Sequence, residues 1–315
     1  MLKFKITVIG TITRDTITFP SGTTTESFGG ILYNISALSG LGGNRVEIYP
    51  VCNLGYDVYE DAIKILKDYR NVKLDGVTRV ESKNNHVFLS LDKKHNKKEI
   101  LKNRVPVLKF DQIKPFLDGH VFLVNFISGF DIGLEDLKRI RNNANAQVFI
   151  DIHSLTLGRD RSGKRYFKTP KRWREYIKLA DIVQTNLIEL EVICGRKLRL
   201  IKDISEYGNY LLSLGPDVLL ITLGEKGALM IFKKGDKMKL EKCSGMSVRG
   251  FKDTTGCGDI FSAGFLISYH ISNDLTQSLY FANRVATEKC KISGVEGVAN
   301  LMRDIAITEK FKEKP

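Results

Sequence analysis

The order of short apolar segments along the chain constrains the fold more than any other feature of the sequence. Segments rich in apolar and β-branched residues occur at residues 3–11, 45–51, 121–125, 147–152, 182–185 and 218–223. Stretches with the spacing of amphipathic helices, such as residues 57–69, lie between them. Strands that are apolar on both faces are typical of a parallel sheet covered by helices. The sequence therefore predicts an α/β fold with a mainly parallel sheet and helices on both faces.

Two stretches interrupt this alternation. Residues 12–30 are polar and rich in Gly and Thr. In residues 87–92, Val87, Leu89 and Leu91 alternate with Phe88, Ser90 and Asp92, which is the period-two pattern of a strand that has two different faces. These stretches predict a small β-rich unit separate from the main sheet.

A heptapeptide near the C-terminus carries the strongest chemical signal. Residues 253–259 read Asp-Thr-Thr-Gly-Cys-Gly-Asp and are followed directly by an apolar run with helical character. Glycines at a helix start allow a ligand to approach the backbone, and the free N–H groups of the first turn form an anion site. Asp259 is unexpected in a site that only binds anions. It fits a site where a carboxylate takes a proton from a hydroxyl beside a transferring phosphoryl group, and the alternative is an acidic helix cap.

This heptapeptide resembles the signature of the ribokinase-like (PfkB) carbohydrate and nucleoside kinases, whose middle position is usually Ala instead of Cys257. Further motifs of the family follow in order through most of the chain. The resemblance implies transfer of the γ-phosphoryl group of ATP to an alcohol. It assigns Asp259 as the general base and the backbone of Gly256, Cys257 and Gly258 as the anion hole.

The resemblance also implies the domain organisation. We expect one kinase domain over residues 1–315, with β-lid segments at about residues 11–30 and 75–105. A lid that excludes water would prevent water from replacing the acceptor hydroxyl. An apolar strand edge at residues 87–91 would either cover the substrate or pair with a second subunit. The resemblance is compatible with the second alternative, a homodimer through the lid.

Four residues near the N-terminus match substrate-binding positions of the family. Asp15 matches a ligand of sugar hydroxyls, and Gly29, Gly30 and Asn34 match the double-glycine motif. Without the resemblance, Asp15 is a turn residue and Asn34 a solvated helix position. Ribokinases proper usually carry Lys where this chain has Ile31, which argues against ribose as the acceptor.

Two residues match the magnesium motif of the family. Asn186 and Glu189 correspond to its Asn-x-x-Glu pattern, which implies Mg²⁺ held by Glu189 through an ordered water. An N-cap role for Asn186 is the alternative, and both roles can coexist.

The remaining matches concern the nucleotide and a second cation. The positions that resemble nucleotide-binding residues are Thr222, Gly224, Gly227 and Asn283. Asp253 and Thr255 correspond to positions that ligate a monovalent cation, such as K⁺, in several members of the family. Whether this chain keeps that cation site is left open by the sequence. Asp151 matches a strand-end motif, although His153 and Leu155 replace its usual Asn and Arg.

Composition limits the partners. The net charge of +13 comes without the aromatic-interleaved basic pattern of nucleic-acid binding, so we expect no nucleic-acid partner. The five Cys residues are widely spaced, which indicates free thiols in a reducing compartment. The chain shows neither a signal peptide nor a stretch of about 18 apolar residues, which predicts a cytoplasmic protein without a membrane partner.

Two other functions stay open. A vitamin-precursor kinase of the hydroxymethylpyrimidine type shares the fold but usually lacks the lid segments. A catalytically weak, sugar-binding regulator would explain the basic charge and the missing Lys and Arg. The preferred hypothesis is a kinase that acts on a small sugar or nucleoside, and the sequence does not identify that acceptor or show that ATP is the sole donor.

Overall fold

The protein is described here by a computed structural model that covers residues 3–91 and 97–308. Its strands are β1 (Phe4–Ile9), β2 (Ile12–Thr18), β3 (Thr24–Gly30), β4 (Val46–Gly55), β5 (Val77–Val80), β6 (His86–Leu91), β7 (Lys97–Lys102), β8 (Val121–Asn125), β9 (Gln147–Asp151), β10 (Leu157–Arg159), β11 (Arg165–Phe167), β12 (Ile182–Asn186), β13 (Val218–Thr222), β14 (Gly227–Lys234) and β15 (Lys237–Ser244). Its α-helices are α1 (Ile31–Gly42), α2 (Tyr59–Lys67), α3 (Phe110–Ile113), α4 (Leu134–Asn143), α5 (Trp173–Lys178), α6 (Leu187–Cys194), α7 (Ile201–Ser213), α8 (Cys257–Ser272), α9 (Leu275–Lys289) and α10 (Val298–Thr308).

A nine-stranded sheet forms the centre of the molecule. Its strand order is β15-β14-β13-β12-β9-β8-β1-β4-β5. All neighbours from β13 to β5 pair in parallel, and β14 and β15 add an antiparallel edge. The predicted α/β class and its mainly parallel sheet are confirmed.

Helices cover both faces of this sheet because successive side chains of its strands point to opposite sides. Val121 and Leu123 of β8 pack in one apolar core with helices α1, α2, α8, α9 and α10. Phe122 and Val124 of the same strand pack in a second core with helices α3 to α7. The continuous apolar runs in the sequence thus reflect burial on both faces.

A separate four-stranded sheet has the order β3-β2-β6-β7. β2 pairs with β6 in parallel, and the other two pairs are antiparallel. β5 completes the edge of the large sheet instead, so the expected lid interval of about 75–105 contributes only β6 and β7 to the small sheet. Residues 92–96 of that interval lie outside the described residues.

The prediction that residues 87–91 form an open strand edge is wrong. β6 lies between β2 and β7 and hydrogen-bonds to both of them, so its backbone groups are already paired. The proposed homodimer stays a prediction, without this support.

The carboxyl ends of the parallel strands gather polar residues at one edge of the large sheet. Asn125 pairs with Asp151, Asp151 pairs with Gln184, and Asn186 pairs with Thr222 in the register of the neighbouring strands. Ligands bind at this edge in open α/β sheets. Within the described ranges, no helix is both long enough and apolar enough to cross a membrane.

Candidate active site

The start of α8 stands over this edge of the sheet. Gly256 precedes the helix with a φ of 80°, and a Cβ atom there would lie 2.4 Å from the ring of Tyr33. Of the three predicted anion-hole donors, the Cys257 N–H already donates to the Thr254 carbonyl at 3.2 Å. The N–H groups of Gly256 and Gly258 donate to no acceptor within residues 3–91 and 97–308. They therefore stay available for an anion.

Asp259 lies in the first turn of α8 with its side chain turned into the protein. The residue is 6% exposed, and the Nδ2 of Asn125 donates a 2.7 Å hydrogen bond to its Oδ1. Burial raises the pKa of Asp259 to about 7, while the hydrogen bond from Asn125 opposes this shift and the nearby charge of Asp15 adds to it. A carboxylate with a pKa near neutrality suits proton transfer at physiological pH.

Two asparagines connect α8 to the sheet and to α1. The Nδ2 of Asn34 donates to the Asp259 carbonyl at 2.9 Å and to Ser262 Oγ at 3.1 Å. Its Oδ1 accepts a 3.0 Å hydrogen bond from Asn125. Asn34 is 0% exposed, and both ends of its amide are hydrogen-bonded within the protein, one of them to the backbone of Asp259. A role for Asn34 in substrate binding stays a prediction.

Asn125 was missed by the sequence reasoning. The only signal available was a polar residue at the end of an apolar strand.

Asp15 projects from β2 of the small sheet toward the same region. It is buried, burial raises its pKa to about 7, and it interacts electrostatically with Asp259. The absence of a side chain at Gly29 makes this position possible, because a Cβ atom there would lie 2.0 Å from Asp15 Oδ2. At Gly30, where φ is 64°, a Cβ atom would lie 2.1 Å from the Thr11 carbonyl oxygen.

Gln184 and Asp151 form a second buried polar pair, and Gln184 contacts the first turn of α8. The Nε2 of Gln184 donates to Asp151 Oδ2 at 2.7 Å and to the Gly258 carbonyl at 2.9 Å. Burial raises the pKa of Asp151 well above its ordinary value, and the charges of Glu189 and Asp259 add to this shift. Three carboxyl groups therefore share one buried region. Gln184 was not predicted from the sequence.

Asn186 and Glu189 form a capping box at the start of α6. The Glu189 N–H donates to Asn186 Oδ1 at 2.9 Å, and Glu189 Oε2 accepts from the Asn186 N–H at 2.9 Å. Glu189 Oε1 accepts from Asn186 Nδ2 at 2.6 Å, and burial raises the pKa of Glu189 to about 7. The N-cap alternative for Asn186 is thus confirmed.

This cap leaves a magnesium role for Glu189 open. No group of three or more His, Cys, Asp or Glu side chains is arranged to hold a metal within the part of the chain that the structure describes. Carboxylate oxygens beside other buried acids suit Mg²⁺ that is held through water, since Mg²⁺ retains much of its hydration shell.

The predicted nucleotide-binding residues lie at the antiparallel end of the sheet. Thr222 ends β13, and Gly224, with a φ of 61°, has open space beside its Cα. Gly227 pairs with Ser244, and the Nδ2 of Asn283 donates to the Ser244 carbonyl at 3.0 Å. A Cβ atom at Gly227 would lie 2.1 Å from a backbone oxygen of β15. The edge strands therefore bring Gly227 and Asn283 together.

The residues proposed for a monovalent cation do not fit one. Asp253 Oδ1 accepts from the N–H of Thr255 at 2.9 Å and from its hydroxyl at 2.8 Å. Asp253 Oδ2 lies 3.3 Å from the Nζ of Lys289, which is fully buried. The Asp253 carboxylate is therefore already paired with a buried ammonium group, and a second cation beside it would be repelled.

Several buried polar atoms around α8 have no hydrogen-bond partner among the described residues. Those near the first turn of the helix are Tyr33 Oη, Asp15 Oδ1, Asn125 Oδ1 and Gln184 Oε1. Buried polar groups are normally hydrogen-bonded, so unpaired ones clustered beside a site indicate a ligand that completes them. A ligand with several hydroxyl groups offers both donors and acceptors.

Comparison with known proteins agrees with this geometry. The sequence model of the pfkB family carbohydrate kinases matches residues 3–299. The chain belongs to the pfkB family of carbohydrate kinases. It is thus a phosphotransferase whose acceptor is an alcohol group of a sugar or nucleoside.

Individual members of this family resemble the chain over most of its length. A cytidine kinase of Thermococcus kodakarensis is 24% identical over 292 residues, which cover 91% of this chain and 96% of that kinase. Ribokinase of Arabidopsis thaliana, solved with ribose and ATP, has a TM-score of 0.72 and 20% identity, and the match covers 96% of this chain and 99% of that one. A pyrophosphate-dependent kinase of the ribokinase family, solved with a pyrophosphate analog and myo-inositol, has a TM-score of 0.73 and 17% identity. That match covers 92% of this chain and 96% of that kinase. The ribokinase-like fold is confirmed.

Proposed function

We propose that this pfkB-family kinase transfers the γ-phosphoryl group of ATP to a hydroxyl of a small sugar or nucleoside, with Asp259 as the general base. The observation that carries the proposal is the buried carboxyl of Asp259, whose pKa is about 7 and whose Oδ1 is held by Asn125. This orientation leaves Oδ2 to accept the hydroxyl proton. A new P–O bond to the acceptor then forms while the bond from the γ-phosphorus to ADP breaks, and the proton stays on Asp259.

The acceptor binds between the small sheet and α8. Asp15 Oδ1 accepts a hydrogen bond from a second hydroxyl of the acceptor. Tyr33 Oη and Asn125 Oδ1, which also have no partner within the described residues, are available to the same acceptor. A pocket of this kind selects polyhydroxy ligands, because an analogue that lacks a hydroxyl leaves buried polar groups unpaired. Gly29 contributes by leaving room for the Asp15 carboxylate, and Gly30 by allowing the backbone to approach the Thr11 carbonyl.

Charge on the transferring group is stabilised by the start of α8. The free N–H groups of Gly256 and Gly258 and the positive end of the helix dipole face an incoming phosphoryl group. Cys257 supports this turn through its bond to Thr254.

The nucleotide binds along the strand ends toward β14 and β15. Thr222, Gly224 and Gly227 provide a turn that a nucleotide can approach closely, and Asn283 lies on the adenine side. Glu189, steadied by Asn186, would hold Mg²⁺ through water. When bound, this ion neutralises charge on the phosphate oxygens.

The small sheet serves as a lid in this proposal. It carries Asp15 and Gly29, so its position against the large sheet decides whether the acceptor pocket is complete. A closed lid would exclude water, which competes with the acceptor hydroxyl for the phosphoryl group.

A panel assay tests the proposal. ATP and pyrophosphate would each be incubated with Mg²⁺, enzyme and one acceptor from a set of pentoses, nucleosides, inositols and a hydroxymethylpyrimidine, and phosphorylated products would be identified by mass spectrometry. We expect ATP to support phosphorylation of a sugar or nucleoside. Preference for the pyrimidine would indicate the vitamin-precursor kinase, and preference for pyrophosphate would overturn the assignment of the donor. Binding of a sugar without any phosphorylated product would support the regulator.

A further inference from the structure

Lys289 is a lysine that the proposed mechanism does not use. It lies near the end of α9, its side chain is 0% exposed, and its Nζ is 3.3 Å from Asp253 Oδ2 and 5.4 Å from the centre of the Tyr33 ring. Lysine is almost never fully buried unless it is paired, because its ammonium group loses hydration. The burial of this ammonium group beside a carboxylate and an aromatic ring therefore indicates a specific role for Lys289.

The partners of Lys289 connect its ammonium group to the turn that carries the proposed anion hole. Asp253 uses its other oxygen to hold the N–H and the hydroxyl of Thr255, one residue before Gly256. The N–H groups of Lys252 and Asp253 donate to the carbonyl of Cys290, which is the residue after Lys289. The ion pair and these backbone bonds tie the turn at residues 252–255 to the end of α9.

The charge of Lys289 also reaches the reacting groups. Burial raises the pKa of Asp259, and the positive charge of Lys289 acts against this shift. At Cys257 the hydrogen bond with Cys290 and burial raise the pKa, and the charge of Lys289 again acts in the opposite direction. Tyr33, whose ring lies beneath the ammonium, also contacts Gly256. A single positive charge is thus fixed beneath the turn that the phosphoryl group approaches.

We propose that Lys289 is a tethered internal cation that orders the anion-hole turn and makes the enzyme independent of free monovalent cations. Lys289 acts through Asp253 and Thr255 on the N–H groups of Gly256 and Gly258, so it is a positioning residue. The part of the proposal that concerns turnover rests on the proposed function. The part that concerns cation binding does not, because it can be measured without substrate.

The first experiment compares the wild type with Lys289→Ala by thermal unfolding without substrate. KCl or methylammonium chloride is exchanged against tetramethylammonium chloride at constant ionic strength. The truncation leaves a cavity beside an unpaired Asp253, so we expect K⁺ or methylammonium to raise the unfolding temperature of the variant in a saturable manner. The unfolding temperature of the wild type should not change. A wild type stabilised by K⁺ in the same saturable manner would overturn the proposal, as would a folded variant that neither cation stabilises.

The second experiment measures turnover of the same proteins with the acceptor found in the panel assay. We expect Lys289→Ala to lower kcat by about 10- to 100-fold. This effect is smaller than that of removing a hydrogen-bond donor that touches the transferring group. K⁺ or methylammonium should restore part of the lost kcat. Lys291→Ala is the matched control, since this lysine is exposed and pairs with Glu288 at the surface. It should keep the wild-type kcat and show no cation response.

A double variant keeps the proposal testable if Lys289→Ala does not fold. Asp253→Asn/Lys289→Met removes both charges and leaves an uncharged pair of similar size, which proteins often tolerate. We expect this protein to fold, to have a reduced kcat and to show no rescue by K⁺. A kcat equal to that of the wild type would show that the ion pair is purely structural and would overturn the proposal.

Discussion

The amide of Asn125 donates a 2.7 Å hydrogen bond to Oδ1 of Asp259, which joins the end of β8 to the first turn of α8. The two residues are 134 positions apart in the chain. Asn125 thereby holds Oδ1 of the carboxylate, and Oδ2 stays available to accept a proton. This arrangement makes the role of Asp259 testable, because a substitution can preserve the hydrogen bond while removing the proton acceptor.

Asp259→Asn should fold normally, since Oδ1 of the new amide can still accept from Asn125. Turnover should fall by about 10² to 10⁴, the range expected for loss of a general base. The losses in kcat and in kcat/KM should be similar, because the interaction is made in the transition state. Steady-state kinetics with the best acceptor, and calorimetric binding of ATP, would check both points. Near-normal turnover would reduce Asp259 to a helix cap.

The pH dependence of kcat/KM should report the raised pKa of Asp259. Only the ionised carboxylate accepts a proton, so we expect kcat/KM to rise as the pH increases through about 7 and then to level off. Measurement from pH 5.5 to 8.5 in buffers of constant ionic strength would show this limb. The residual activity of Asp259→Asn should lack it, and persistence of the same limb in that variant would assign the titration to another group.

Stability of the ligand-free protein should fall as the pH rises from about 4 to 7. Asp15, Glu189 and Asp259 each have a pKa raised to about 7 by burial, so the folded state binds more protons than the unfolded state within this window. Urea unfolding at pH 5 and pH 8 would give the difference in free energy of unfolding. Between these pH values, the free energy of unfolding of Asp15→Asn should fall by about 1–3 kcal/mol less than that of the wild type. An equal loss would show that Asp15 ionises normally.

Gly256 and Gly258, the two glycines of the proposed anion hole, should respond differently to substitution by alanine. Gly256→Ala should destabilise the fold, because φ is 80° there and the added carbon would meet the Tyr33 ring at 2.4 Å. At Gly258 φ is not positive, and the nearest atom to an added carbon is Gln184 Nε2 at 3.9 Å. We expect Gly258→Ala to keep its thermal stability but to bind ATP more weakly and turn over more slowly. Unchanged ATP affinity and kcat in that variant would place the phosphates elsewhere.

Oxidation should inactivate the enzyme through Cys257 and Cys290, whose Sγ atoms are 3.4 Å apart. The hydrogen bond with Cys257 lowers the pKa of Cys290, which favours its reactive thiolate. Hydrogen peroxide would take two electrons from the thiols, forming one disulfide and two molecules of water, and a disulfide would pull the anion-hole turn toward α9. We expect loss of turnover that dithiothreitol reverses. Cys290→Ser should resist peroxide, and equal inactivation of this variant would contradict the pairing.

The sequence by itself determined the α/β class, the strands of the parallel sheet and the position of Asp259 at a helix start. These features depend on apolar periodicity and on glycine and capping chemistry within a few neighbouring residues, so they are visible locally. The sequence did not reveal that Asn34 is buried, that Asn125 and Gln184 hydrogen-bond to the first turn of α8, or that a buried Lys289 pairs with Asp253. Each of these roles comes from a contact between distant segments, such as that of Lys289 with Asp253. Only the folded chain decides which polar groups become neighbours in a region without water, and burial there sets both their pairing and their pKa values.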